Sequence, residues 1–428
     1  MKDLGHECVM ASEIQQDLKE LYIKNHNANL FLKLIGDIHN EIEVKNIPPF
    51  EVLCAGFPCQ PFSQAGHRRG LKDPLNGNHF LKIVEIISYH KPEYIFLENV
   101  PTLKNHDNGN TWGVIKTSLE NENYSVKEKI LSPDEFGVPQ QRKRIYITAI
   151  RKDCLKGEIV YPTTTKDKKI NINKFLEKGP VEDIPIRSET LKQIKHWEKF
   201  LKKLNKQPHK EITGFPIWAV EFGATYPYKE TPTKNIALST LNKHKGTLGK
   251  EISTQDKNDL LNFLPRYALT SNKRFPPWKI KYIKKNREFY TANKKWIDEW
   301  KKEILGWNLS YQKLEWNCGR DAKYTLKDKI IQFRPSGIRV KNKDRFPALV
   351  LSTTQTPIIY DKHKVGGEGF RHITNREAAN LQSFPRKKFS ILKNKNAAIK
   401  AFGNAVNVKV VKEIMGSVIF NNEKDTNQ

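Results

Sequence analysis

The sequence predicts an α/β protein interrupted by a large basic insert. Two observations lead there. Short apolar runs alternate with helical stretches of roughly ten residues before position 150, a pattern of strands and helices in a parallel sheet. The charge is also unevenly placed. Residues 151–370 hold 46 basic and 24 acidic side chains, a net of +22, whereas the rest of the 428 residues net +5. Seven of the eight tryptophans fall in the same middle stretch: Trp197, Trp218, Trp278, Trp296, Trp300, Trp307 and Trp316. The expected division is therefore one globular domain built from 1–150 and 371–420, an insert over 151–370, and a frayed polar tail over 421–428.

Taken in order, Glu7–Ser12 (ECVMAS) reads as a strand, Asp17–Asn25 as a helix and Phe50–Ala55 (FEVLCA) as a buried strand. His79–His90 has apolar residues at helical spacing, Tyr94–Leu97 (YIFL) is a strand and Gly113–Glu120 a short helix. Arg144–Ile150 (RIYITAI) closes the region with a further strand. In such sheets ligands gather at the carboxyl ends of the strands. Within the insert, Leu191–Asn205 and Trp296–Leu305 look helical, and Pro, Gly and Asn clusters break up the remainder.

Composition narrows the function classes. A formal net charge of +27 points to a polyanionic partner, because neutralised phosphates release counterions. The chain is 38% hydrophobic, with 21 Phe and 14 Tyr, enough for a packed core. No apolar run approaches a membrane span, and the start MKDLGHECVM lacks the apolar centre of a signal peptide. The five cysteines form no C-x-x-C pair and none of the twelve histidines has metal-ligand spacing, so neither a disulfide framework nor a metal site is expected. A reduced cytoplasm is the expected home.

Three segments stand just after or before strands. Gly56-Phe57-Pro58-Cys59-Gln60-Pro61-Phe62-Ser63 follows FEVLCA and offers a thiol on a loop with a fixed backbone. A nucleophilic cysteine needs nearby positive charge or a proton acceptor. The bland reading is a small buried hydrophobe. Glu98-Asn99-Val100 follows YIFL; a partly desolvated carboxylate there exchanges a proton near neutrality, or merely caps a turn. Val138-Pro139-Gln140-Gln141-Arg142-Lys143-Arg144 precedes RIYITAI. Alternation puts Gln140, Arg142 and Arg144 on one face, either as a common wall or as a solvated basic edge.

In this order the three segments resemble the cytosine-5 DNA methyltransferase family. Arg371-His372-Ile373-Thr374-Asn375-Arg376-Glu377-Ala378-Ala379-Asn380-Leu381-Gln382-Ser383-Phe384-Pro385 and Gly403-Asn404-Ala405-Val406-Asn407-Val408 agree with it too. The resemblance implies an S-adenosylmethionine-dependent, Rossmann-like methyltransferase sheet. The insert stands in place of the family's target-recognition domain. The partner is double-stranded DNA, with no membrane and no metal, in a bacterial cytoplasm and at the nucleoid while bound.

The resemblance also implies roles. Cys59 attacks C6 of a cytosine flipped from the helix, and Glu98 hydrogen-bonds the ring nitrogen and amino group. Arg142 with Arg144 holds the carbonyl oxygen, and Gln140 supports the same wall. Phe62–Gly70 closes over the flipped base. Around the cofactor, Glu13 binds the ribose hydroxyls, Asp37 reads the adenine amino group, Pro58 lies close by, and Asn404 with Val406 closes the pocket. His79 stands where the family places Leu beside adenine. Arg376 and Glu377 form a pair holding the insert to the catalytic domain.

One departure stands out. The family opens with a strand, a Phe-x-Gly-x-Gly turn and a helix, and here Met1 falls near the end of that helix, so the sheet reads as N-terminally truncated. An upstream start, a split enzyme with an upstream polypeptide completing the fold, and an inactive remnant are the competing explanations, in that order. The expected activity is DNA (cytosine-5-)-methyltransferase of the restriction–modification kind. The alternative is a catalytically incomplete DNA-binding fragment or one subunit of a split enzyme.

Overall fold

The computed structural model describes residues 4–26, 33–57, 78–165, 170–178, 186–229, 231–270, 275–320, 323–361, 369–385 and 389–424. In chain order the strands and helices are β1 (Met10–Ser12), α1 (Gln16–His26), β2 (Lys33–Ile35), β3 (Val52–Gly56), α2 (Asn78–His90), β4 (Tyr94–Asn99), α3 (Asn110–Asn121), β5 (Tyr124–Leu131), β6 (Gln140–Gln141) and β7 (Arg144–Arg151). The middle contributes α4 (Ser188–Leu204), β8 (Ile217–Trp218), α5 (Leu238–Leu241), α6 (Pro277–Trp300), β9 (Lys313–Asn317), β10 (Lys329–Arg334) and β11 (Gly337–Asn342). Then follow β12 (Phe346–Pro347), β13 (Ile358–Tyr360), β14 (Phe370–His372), α7 (Asn375–Leu381), α8 (Lys395–Asn404) and α9 (Val408–Lys424).

The chain divides into two compact units. The first holds residues 1–177, 344–353 and 375–428, and the second 178–343 and 354–374. The junction therefore falls later than the charge step at 151 suggests. Leu155, Ile159 and Tyr161 pack with β4, β7 and α9, which keeps this stretch in the first unit.

In the first unit the main sheet runs β3-β4-β7-β5. Only β3 and β4 are parallel; β7 is antiparallel to both β4 and β5. The sheet read from the sequence as parallel is a mixed one. The link from β5 to β7 contains Pro133, Gly137 and Pro139 and no crossover helix, and without such a helix neighbouring strands pair antiparallel. Strand β4 is apolar on both faces because both are covered. Ile95 and Leu97 pack with Ile145, Ile147 and Ala149 against α2 and α3. Tyr94 and Phe96 pack with Tyr146 and Ile150 against Val410, Ile414, Met415 and Val418 of α9. Strands β1 and β2 form a separate parallel pair. Among the described residues β1 pairs only with β2 and β3 only with β4, so each has one edge without a strand. This leaves FEVLCA half-buried, not buried as its composition suggests. Residues 421–424 of the expected frayed tail continue α9. Asn422 is buried and donates to the Tyr94 hydroxyl (2.8 Å) and the Cys154 carbonyl (3.0 Å).

The second unit carries the six-stranded sheet β14-β13-β10-β11-β9-β8, which the sequence pattern did not announce. Its core joins Trp197, Phe200 and Leu201 of α4 to Phe289, Ile297 and Trp300 of α6 and to Leu314, Ile331 and Val340 of the sheet. Helix α6 begins at Pro277, nineteen residues before the helical spacing first becomes legible at Trp296.

Candidate active site

Strand parity and register build the site. Along β4, residues 94, 96 and 98 face α9, so Glu98 follows Tyr94 and Phe96 onto that side. Along β7, parity puts Arg144 with Tyr146 on the same face, and Glu98 pairs across the ladder with Tyr146. Arg144 Nε consequently lies 2.9 Å from Glu98 Oε1, with both side chains largely buried (19% and 16% exposed). Burial pushes the Glu98 carboxyl above its ordinary value, while the charges of Arg144 and Arg142 oppose the rise. The pair thus places a carboxyl of heightened proton affinity beside a fixed guanidinium.

Gly56 is the register partner of Glu98 on β3, and a Cβ added there would stand 3.8 Å from Glu98 Oε2. Asn99 donates Nδ2 to the Phe57 carbonyl at 3.3 Å. These contacts position the chain as it leaves β3 toward Pro58 and Cys59. Both of those residues, and the Phe62–Gly70 segment, lie outside the described residues. A cavity of about 260 Å³ opens here, lined by Gly56, Phe96, Glu98, Tyr146, Val406 and Met415 among others. Cys54 is exposed to this space, yet the carbon crowded around its sulfur pushes the thiol up to about 11, so it stays protonated at neutral pH.

Arg142 is directed elsewhere. Its Nη1 donates to the Leu349 carbonyl (3.2 Å) and its Nη2 to those of Gly403 (2.7 Å) and Ala405 (3.1 Å). It ties β6 and β7 to the Gly403–Val408 segment. That segment sits tightly: a Cβ on Gly403 would lie 3.1 Å from the Val350 carbonyl carbon. Gln140 is fully buried, and neither atom of its amide has a hydrogen-bond partner. An orphaned amide of this kind costs about 1–3 kcal/mol per group. Val406 lines the cavity, whereas Asn404, the last residue of α8, is exposed.

Glu13 and Asp37 come together at the carboxyl ends of the parallel β1 and β2, where Ser12 and Ile35 are register partners. Glu13 donates its backbone N–H to the Ile35 carbonyl. Asp37 accepts from the His39 N–H and the Asn40 amide. The turn is stabilised by Glu41, which sequence reasoning missed. Its carboxylate accepts from the N–H groups of Gly36 (2.6 Å) and Asp37 (3.0 Å), and those bonds hold its pKa below the ordinary value. Beside it His39 Nε2 and His79 Nδ1 are 3.0 Å apart. Arg376 and Glu377 belong to one unit: Arg376 donates to the Phe389 carbonyl, and Glu377 accepts from the Glu177 N–H. Among the described residues no three metal-binding side chains cluster, and no helix is long and apolar enough to cross a membrane.

Comparison with known proteins adds the following. Residues 1–419 match the family described as C-5 cytosine-specific DNA methylase. The type II methyltransferase M.BanI of Aneurinibacillus aneurinilyticus is 29% identical over 436 aligned residues, covering 98% of this chain and 91% of that one. M.MspI of Moraxella sp is 44% identical over 158 residues, 37% of each chain. M.HhaI of Haemophilus parahaemolyticus is 36% identical over 177 residues, 41% of this chain and 51% of that one. The chain thus spans about half or less of the length of the last two relatives. The solved Dnmt2 methyltransferase of S. pombe is similar at a TM-score of 0.47 and 17% identity, covering 98% of this chain and 92% of that one.

Proposed function

The chain belongs to the C-5 cytosine-specific DNA methylase family, and on that premise we propose that it methylates C5 of a cytosine within a specific duplex DNA sequence. The setting is the modification half of a bacterial restriction–modification pair in the cytoplasm. The observation that carries this reading is the buried Glu98–Arg144 pair beside the outgoing end of β3. A cytosine flipped into that space meets the groups its chemistry needs. The Cys59 thiolate adds to C6, and the electron pair of the 5,6 double bond moves into the ring. The Glu98 carboxyl supplies a proton or hydrogen bond at the ring nitrogen, and Arg144 polarises the carbonyl oxygen. A base then takes the C5 proton, the electron pair of that C–H bond re-forms the 5,6 double bond, and the C6–S bond breaks with its pair leaving on the Cys59 sulfur. Arg142 and Gln140 act behind this line, Arg142 as the clamp on the Gly403–Val408 segment.

S-adenosylmethionine, when bound, supplies the electrophilic methyl group. The donor set fits it. Glu13 and Asp37 offer carboxylate acceptors for hydroxyl and amino groups, and Val406 lines an apolar cavity; Pro58 and Asn404 are the further residues proposed for the cofactor. The second unit would read the DNA sequence.

Calorimetric titration of the full chain with S-adenosylmethionine tests the cofactor half. Wild type is expected to bind, and Asp37→Ala to weaken binding by roughly tenfold or more, as for a lost hydrogen bond to a charged group. Equal binding by the variant removes Asp37 from the site. No binding by wild type favours the alternative, a DNA-binding fragment without catalysis of its own.

A further inference from the structure

The second unit contains a cavity that the catalytic reading does not use. A cavity of about 510 Å³ is lined by Tyr226, Tyr228, Lys229, Thr231, Asn235 and Arg287 among others. Arg287 lies between two aromatic rings, its guanidinium carbon 4.4 Å from the Tyr226 centroid and 4.6 Å from that of Tyr228. Its Nε is 3.0 Å from Oε2 of the wholly buried Glu221, and its Nη1 donates to the Tyr226 carbonyl at 2.9 Å. Glu221 is committed elsewhere as well, since the hydroxyls of Tyr226 and Tyr267 both donate to its Oε1. Arg287 is therefore immobilised before any ligand arrives, and its Nη2 has no hydrogen-bond partner.

The remaining lining suits a negatively charged, oxygen-rich group. Lys229 adds a second cation on an exposed stem. Thr231 offers a hydroxyl and Asn235 an amide, and no carboxylate appears among the described lining residues. Glu230, between Lys229 and Thr231, lies outside the described residues. A guanidinium held in a fixed plane beside a flexible ammonium is a recurrent arrangement for phosphate oxygens.

We propose that this pocket binds a backbone phosphate of the DNA on which the chain acts. The inference rests on the reading of the second unit as the DNA-recognition domain, and it names the place where that unit takes hold of the backbone. A phosphate contact positions the protein and carries no base identity.

The test is DNA binding by the full chain, measured by fluorescence anisotropy on mixed-sequence duplexes across a salt series. Lys229→Gln and Arg287→Lys are compared with wild type, Lys229 being exposed so that its variant leaves the fold alone. Each lost phosphate contact lowers the slope of log K against log salt by about 0.9. Lys229→Gln is expected to show that drop and the same severalfold loss of affinity on every sequence. Arg287→Lys keeps the charge and is expected to lose affinity with little change of slope. Wild-type affinity and slope in both variants overturn the proposal while the DNA-binding reading stands. Loss of discrimination at one base pair, with the slope intact, also overturns it and makes the pocket a base reader. Inorganic phosphate that binds wild type while both variants keep their DNA affinity makes it a free-phosphate site and overturns the DNA assignment. Failure of wild type to bind any duplex overturns the recognition reading and the pocket with it.

Discussion

Arg142 and Arg144 stand two residues apart, one between β6 and β7 and the other at the start of β7, and are used differently. Arg142 satisfies three buried carbonyls, so Arg142→Ala is expected to lower stability by about 2–4 kcal/mol, read as a shift in the denaturant midpoint. Arg144 opposes the burial-driven rise in the Glu98 pKa. Its removal is expected to push that carboxyl further up, moving the alkaline limb of the single-turnover methylation profile to higher pH. An unmoved limb would make Arg144 a mere surface bridge. Glu98 itself binds its proton more tightly in the folded chain than in the unfolded one. Its contribution to stability is thus present at low pH and lost as the pH rises through the folded pKa. Glu98→Gln should accordingly cost about 10²–10⁴ in rate while its stability relative to wild type improves from acid to neutral pH. A relative stability that falls over that range would contradict the raised pKa. Strand alternation puts Gln140, Arg142 and Arg144 on one face, but Arg142 lies between β6 and β7 and its guanidinium is directed away from the Glu98–Arg144 pair. Alternation was silent on the acceptors of Arg142, which lie more than two hundred residues away.

At the scale of elements, β4 and β7 were legible because each is an unbroken apolar run covered on both faces. Their relative direction was not, since it depends on the link through Pro133–Pro139 and not on the strands themselves. Strand β5 and the six-stranded sheet went unread for another reason: strands such as KIIQFR and GIRVKN mix charge with apolar residues. Core and close-approach positions give the predictions here. Ile147→Ala, fully buried between β4 and α2, is expected to cost about 2–5 kcal/mol in chemical denaturation. Gly403→Ala pushes a Cβ to within 3.1–3.3 Å of the backbone of Val350 and Leu351, and is expected to destabilise by about 1–3 kcal/mol. A neutral Gly403→Ala would show that the segment yields without strain.

Across the whole molecule, the chain divides into two compact units, the second with its own core. The charge step marks composition, while the boundary is set by packing, which is why 151–177 stays with the first unit. What the two ends of the chain share is the carboxyl side of β3 and β4, where the route to Cys59 passes Glu98. The most direct measurement is covalent trapping on duplex DNA carrying 5-fluorocytosine in place of cytosine, with S-adenosylmethionine present. Fluorine at C5 cannot leave as a proton does, so the thiol–C6 bond persists. Wild type is expected to form a denaturation-resistant protein–DNA adduct, Cys59→Ser none, and Glu98→Gln far less. An adduct that survives Cys59→Ser, or its absence from a wild type that binds both DNA and S-adenosylmethionine, would contradict the account.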